Sequence, residues 1–115
     1  MTTTNQMNRR TINSIHPAGA VVVGNGLDGV LNGGNEVGLT FDLSQIAPGV
    51  TFTSSYEIRN TPDGAFGLAG SDNFASGFIH DINLTVVVGY ELRVTLSHNS
   101  AMGVFDVPVE CVIQG

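Results

Sequence analysis

The residues best spaced for chemistry sit in one glycine-rich loop. Gly24-Asn25-Gly26-Leu27-Asp28-Gly29 follows an apolar run and matches the G-x-G-x-x-G pattern. That pattern holds a dinucleotide only where a helix begins at the glycines and points its N-terminus at the pyrophosphate. Here Val30-Leu31-Asn32-Gly33-Gly34-Asn35 follows, and glycine and asparagine sustain helices poorly. No βαβ unit can be drawn, so no nucleotide is expected. The same loop offers hard oxygen ligands in Asp28, Asn32, Asn35 and Glu36, with Ser71-Asp72-Asn73 as a further source. Calcium takes about six to eight oxygens from carboxylates at fixed spacing. Two carboxylates in a flexible loop make a poor cage, so no calcium site is expected.

The three imidazoles are His16, His80 and His98. Zinc needs three or four nitrogen or sulfur ligands converging in space. His16 precedes a proline, His80 opens an apolar alternation and His98 sits in a turn, which gives no reason for them to meet. His80 and Asp81 cannot pair within a strand, because adjacent side chains leave on opposite faces. The serine signature G-x-S-x-G is absent. Cys111 is the single cysteine, so no intrachain disulfide forms, and its phase with Phe105, Val107, Val109 and Ile113 marks it as a small buried hydrophobe. Asn83-Leu84-Thr85 is a glycosylation sequon read here as coincidence. No catalytic residue, no metal and no cofactor is expected, and the chain is not expected to be an enzyme.

The elements that carry these residues follow a period of two. Ala20-Val21-Val22-Val23 reads as a short buried strand. Val37, Leu39, Phe41 and Leu43 alternate with Gly38, Thr40 and Asp42. After a turn at Ala47-Pro48-Gly49 comes an inward set of Val50, Phe52, Ser54, Tyr56 and Ile58, with Thr51, Thr53, Ser55, Glu57 and Arg59 outward. Asn60-Thr61-Pro62-Asp63-Gly64 is a turn, Phe66-Gly67-Leu68 a short strand, and 69–77 a loop. The segment 78–88 alternates again, with Ile82, Leu84, Val86 and Val88 on one face. Tyr90, Leu92, Val94 and Leu96 follow, then a last strand over 104–113. Pro108 lacks an N–H, which predicts an edge position or a bulge there. No stretch of ten residues keeps a helical period. The spacing predicts an all-β protein, an immunoglobulin-like β-sandwich of about seven strands.

Composition bounds the setting. The chain has 115 residues, one domain's worth. It contains no lysine. Charged residues make up 12% and the formal net charge is −6, whereas roughly a quarter of positions are charged in ordinary soluble domains. Phosphate neutralisation needs clustered Lys or Arg, so nucleic acid is not expected as a partner. No run approaches the ~18 apolar residues of a membrane span, and the N-terminus has no apolar core of a secretory signal. Residues 1–18 are polar, with Ile12 and Ile15 as the apolar punctuation and Arg9-Arg10 as the only local positive pair. That composition predicts an extended N-terminal arm without a core of its own, dispensable for the fold, ahead of a single sandwich over 19–115.

From Leu39 to Ile113 the chain resembles bacterial and viral immunoglobulin-like domains. The resemblance rests on Gly38-Leu39-Thr40-Phe41-Asp42-Leu43 with Ile46-Ala47-Pro48-Gly49, and on Ser55-Tyr56-Glu57-Ile58-Arg59-Asn60-Thr61. Its last part is Tyr90 to Leu96 followed by 103–113, similar to a closing hairpin. The buried Trp and paired Cys of antibody-type domains are missing, so the resemblance implies architecture alone. It points to the immunoglobulin-like decoration proteins of phage capsids. The expected function is therefore a structural virion protein, a capsid decoration or cement protein assembled in a host cytoplasm. It would contact the major capsid protein or other particle subunits, and a homo-oligomer, a trimer for instance, would suit a lattice axis. Candidate contacts are Arg9, Arg10, Ile12 and Ile15 in the arm and Leu27, Val30 and Leu31 in the glycine loop. The alternative is a binding module, a carbohydrate-recognising or fibre β-sandwich, which would want two exposed aromatics on one face.

Overall fold

Alternation builds the core. Val37, Leu39 and Phe41 are buried on one strand, Phe52, Ser54 and Tyr56 on a second, and Leu92, Val94 and Leu96 on a third, with half-exposed neighbours between them. The computed structural model describes residues 5–15, 17–22, 31–32, 36–61, 64–100 and 103–114. These hold strands β1 (Asn5–Ile15), β2 (Ala20–Val21), β3 (Leu31–Asn32), β4 (Glu36–Asp42), β5 (Thr51–Arg59), β6 (Gly67–Ala75), β7 (Ile79–Thr85), β8 (Glu91–His98) and β9 (Phe105–Gln114). Seven are long, β2 and β3 have two residues each, and no helix occurs among the described residues.

All pairings are antiparallel and form two sheets. The first runs β1-β9-β4-β7; the second runs β2-β8-β5-β6, with β3 also on β8. Five of these pairings nest outward from the turn after β5: β5 with β6, β4 with β7, β2 and β3 with β8, and β1 with β9. The chain is thus one long hairpin, folded over so that β5 zips to β8 and β4 to β9. With β2 and β3 counted as one interrupted strand, this is the strand order of a jelly roll.

That order corrects the immunoglobulin-like expectation. Immunoglobulin sheets place consecutive strands side by side at several points, whereas β5 and β6 are the one consecutive neighbouring pair among the described strands. The segments read as a closing hairpin, β8 and β9, lie in different sheets.

The two sheets face each other through Phe41 and Phe74, with ring centroids 5.6 Å apart, and through Phe52 and Phe105, also at 5.6 Å. Phe41, Phe52, Ile15, Leu39, Leu43 and Leu96 are the largest fully buried side chains. Burying each stabilises the fold by about 1.5–3 kcal/mol. Cys111 lies in this core, as its phase requires.

Two segments differ from the sequence reading. Residues Asn5–Ile15 are a strand of the first sheet, in register with β9 from Asn5–Gln114 to Ile15–Phe105, rather than a free arm. The boundary near residue 18 therefore falls inside the sandwich. An edge strand needs little apolar content, which is why polar composition misled; Ile15 is fully buried and pins its end. Likewise 69–75, read as loop, belongs to β6, a nearly wholly exposed edge strand held by β5. Pro108 is not on an edge strand, because β9 lies between β1 and β4. The β4 ladder stops at Phe41–Val109, so Pro108 sits one residue beyond it, where no β4 partner is lost.

Candidate functional site

The two sheets end on one side with β6 and β7, and no strand covers either outer edge among the described residues. Leu68 on β6, Phe78 and Ile79 at the start of β7, and Val87 and Val88 beyond its end are 57–80% exposed. With Val104, these are the exposed large apolar residues of the described chain. Five of the six sit on or beside the two edge strands β6 and β7. Between the two edges runs a groove of about 430 Å³ lined by Tyr56, Ile58, Ala69, Leu84, Thr85, Val86, Val87, Tyr90 and Leu92, none of them charged. Apolar surface concentrated this way marks contact with another molecule.

Sequence phase explains part of this. Val86-Val87-Val88 is continuous, so a period of two must expose one of the three. β7 ends at Thr85, and the turn through Gly89 (φ 89°) carries Val87 and Val88 outward. A value of φ near 90° suits glycine. Val88, expected inside, is 80% exposed.

Tyr56 closes the floor of the groove. A bulge in β6 sets Tyr56 opposite Gly70, whose missing side chain lets the ring lie 3.5 Å from where a β-carbon would stand. Its hydroxyl donates to Asp72 Oδ2 at 2.7 Å. Burial first, and then this carboxylate, push the Tyr56 phenol from 10.0 up to about 12. The folded state therefore holds that proton more tightly than the unfolded state. The stability it contributes is complete below pH 10 and is lost as pH rises toward 12. Ultraviolet titration should show a tyrosinate step near pH 12 that Tyr56→Phe removes. A step that stayed in that variant would show the assignment to be wrong.

The outer face of the second sheet is polar and internally neutral. Arg93 bonds Glu57 through two nitrogens at 3.1 and 3.0 Å, and Arg59 bonds Glu91 at 2.8 Å. The Arg59 and Arg93 guanidinium groups both lie against the Phe66 ring, 4.4 and 4.2 Å from its centre. Beyond them stand Thr51, Thr53, Ser55, Ser71 and Asn73. On the outer face of the first sheet, Glu36, Gly38, Thr40, Asp81 and Asn83 line a shallow polar trough of about 510 Å³.

The histidines do not converge. His98 is buried: its Nε2 lies 2.9 Å from Ile15 O, and its Nδ1 accepts the Ser100 amide at 3.1 Å. With Nδ1 accepting, Nε2 donates to the Ile15 carbonyl, so the ring ties β8 to the end of β1. His80 stacks on Phe74 at 4.9 Å and reaches Ala75 O at 2.8 Å. His16 lies outside the described residues. No group of three potential metal ligands occurs among the described residues.

No family model, curated protein or solved structure matches this chain.

Of the contacts expected from sequence, four lie on β1 and one on β3. Ile15 is in the core, not at a surface. Arg9, Arg10 and Ile12 lie on β1, in register with Glu110, Val109 and Val107. Leu31 pairs with Leu92 at the start of β8. Leu27 and Val30, together with Asp28 and Asn35, are outside the described residues. β1, β2 and β3 form the edges opposite β6 and β7, so the exposed apolar residues of β6 and β7 lie across the sandwich from those strands.

Proposed function

We propose that this chain is a structural subunit of a larger particle, a phage capsid decoration or cement protein that holds the major capsid protein or neighbouring subunits through surface burial. One observation carries the reading: the exposed apolar flank of Leu68, Phe78, Ile79, Val87 and Val88 on a molecule with 12% charged residues and no lysine. Such a surface repels neighbours weakly and gains by being covered. The jelly-roll order agrees, since viral shells use it, but lectins and cupins use it too, so fold alone carries no function.

The second reading, a carbohydrate-binding or fibre module, draws on the hydroxyl and amide face of the second sheet. Its aromatic platform is weak. Tyr56 is buried, and Phe66 is covered by two guanidinium groups. Among the described aromatics Phe78 is the exposed one.

Co-sedimentation with purified capsids, beside a glycan array, separates the two. The shell reading expects saturable capsid binding that Val88→Asp weakens and no glycan signal. Glycan binding without capsid binding would overturn it.

A further inference from the structure

We propose that the groove between β6 and β7 binds a small cationic amphiphile, an alkyl amine whose chain fills the groove and whose ammonium sits on Asp72. The inference goes beyond the shell reading and does not depend on it. The groove supplies the apolar half of the site. Its volume of about 430 Å³ falls in the range of about 300–1,000 Å³ that small-ligand sites occupy, and no charged residue lines it. The short stem of a lysine reaching in from another protein would leave most of that space empty. A longer free chain is the better occupant.

The polar half stands at the Tyr56 end. Tyr56 lines the groove and donates its hydroxyl to Asp72 Oδ2 at 2.7 Å. Asp72 is exposed, and its other oxygen accepts no hydrogen bond among the described residues. Ser54 is in register with Asp72, and directly opposed residues share a sheet face. Because Ser54 is fully buried on that face, Asp72 faces the opening between the sheets rather than the outer surface. The Ser54 hydroxyl is itself the buried side-chain polar atom left without a partner among the described residues. Both unspent groups can accept hydrogen bonds, and an ammonium brings only donors. Charge then selects the cation. No arginine or histidine pairs with Asp72 among the described residues: Arg59 and Arg93 are held by Glu91 and Glu57 on the opposite face of β5, and His80 contacts Ala75 O. A chain of net charge −6 repels a fatty acid of the same shape and attracts the amine.

Isothermal titration calorimetry of the full chain with octylamine, octan-1-ol and octanoate, each below its micelle concentration, tests the site. Octylamine should bind tightest, about five-fold ahead of octan-1-ol, the upper range for an exposed ion pair, and octanoate weakest. Asp72→Asn keeps an acceptor for Tyr56 and should bring octylamine down to the level of octan-1-ol. Asp81→Asn removes the same charge outside the groove lining and should leave the ranking unchanged. Ala69→Phe, at an exposed lining position, should weaken amine and alcohol alike by filling the groove. Circular dichroism checks that each variant stays folded, and the ranking by the parent chain decides the matter if one does not. No binding of octylamine, an amine bound no better than the alcohol, or a preference that survives Asp72→Asn or falls equally in Asp81→Asn would overturn the site. Capsid binding by a chain that ignores octylamine would refute the ligand site alone and leave the shell reading standing.

Discussion

Removing residues 1–15 is expected to abolish cooperative folding rather than free a dispensable arm. The truncation deletes β1, and with it the register partners of β9 from Phe105 to Gln114. It also deletes Ile15, which is fully buried in the core. Losing a buried isoleucine alone costs about 2–5 kcal/mol, against a total stability of about 5–15 kcal/mol for a domain. The stripped β9 would further expose a row of unpaired backbone groups. Ile15→Ala isolates the core term and should lower stability by about 2–4 kcal/mol with the fold retained. Thermal melts followed by circular dichroism read both. A truncated chain melting cooperatively at the parent Tm would show that β1 is not part of the sandwich.

His98→Ala should be the most damaging single change to a polar side chain. It removes the buried hydrogen bond to the Ile15 carbonyl and the part-buried one from the Ser100 amide, and an unsatisfied buried group costs about 1–3 kcal/mol. It also empties the space beside Phe52 and Phe105, whose rings lie 5.5 and 4.7 Å from the imidazole. Together these should cost about 3 kcal/mol, with a fall in Tm of roughly 10 °C. His98→Phe keeps the ring and loses both hydrogen bonds, so it separates packing from bonding and should fall between His98→Ala and the parent. If His98→Phe matched the parent, the hydrogen bonds would contribute nothing and the tie to β1 would be packing alone.

The legible parts of the sequence were the strands inside each sheet. β4, β5, β8 and β9 each have neighbours on both sides and one face in the core, so their side chains must alternate; Val37-Leu39-Phe41 and Leu92-Val94-Leu96 do. Edge strands carry a weaker constraint. Most of β6, from Ala69 to Ala75, reads as loop because a strand exposed nearly all along needs no apolar phase, and Phe74 is its single buried side chain. Asn5 to Ile15 reads as an arm for a similar reason.

Strand order was illegible because pairing is non-local: β1 and β9 meet from opposite ends of the chain, and no local pattern encodes that. The apolar flank was hidden differently. Leu68, Phe78, Ile79, Val87 and Val88 are the residue types that cores use; the end of β7 at Thr85 and the turn at Gly89 carry Val87 and Val88 outward, and the edge positions of β6 and β7 leave the other three exposed.

The rolled hairpin, closed by β1 on β9, is the claim on which the rest stands, and one engineered cysteine tests it. The register sets Asn8 opposite Cys111, and directly opposed residues of an antiparallel pair lie within disulfide reach. Under mild oxidation Asn8→Cys should form an intrachain disulfide with the native Cys111, read by mass spectrometry. Arg9→Cys, whose register partner is Glu110, should remain reduced. A reduced Asn8→Cys variant, or equal cross-linking from both positions, would contradict the pairing and the jelly-roll order with it.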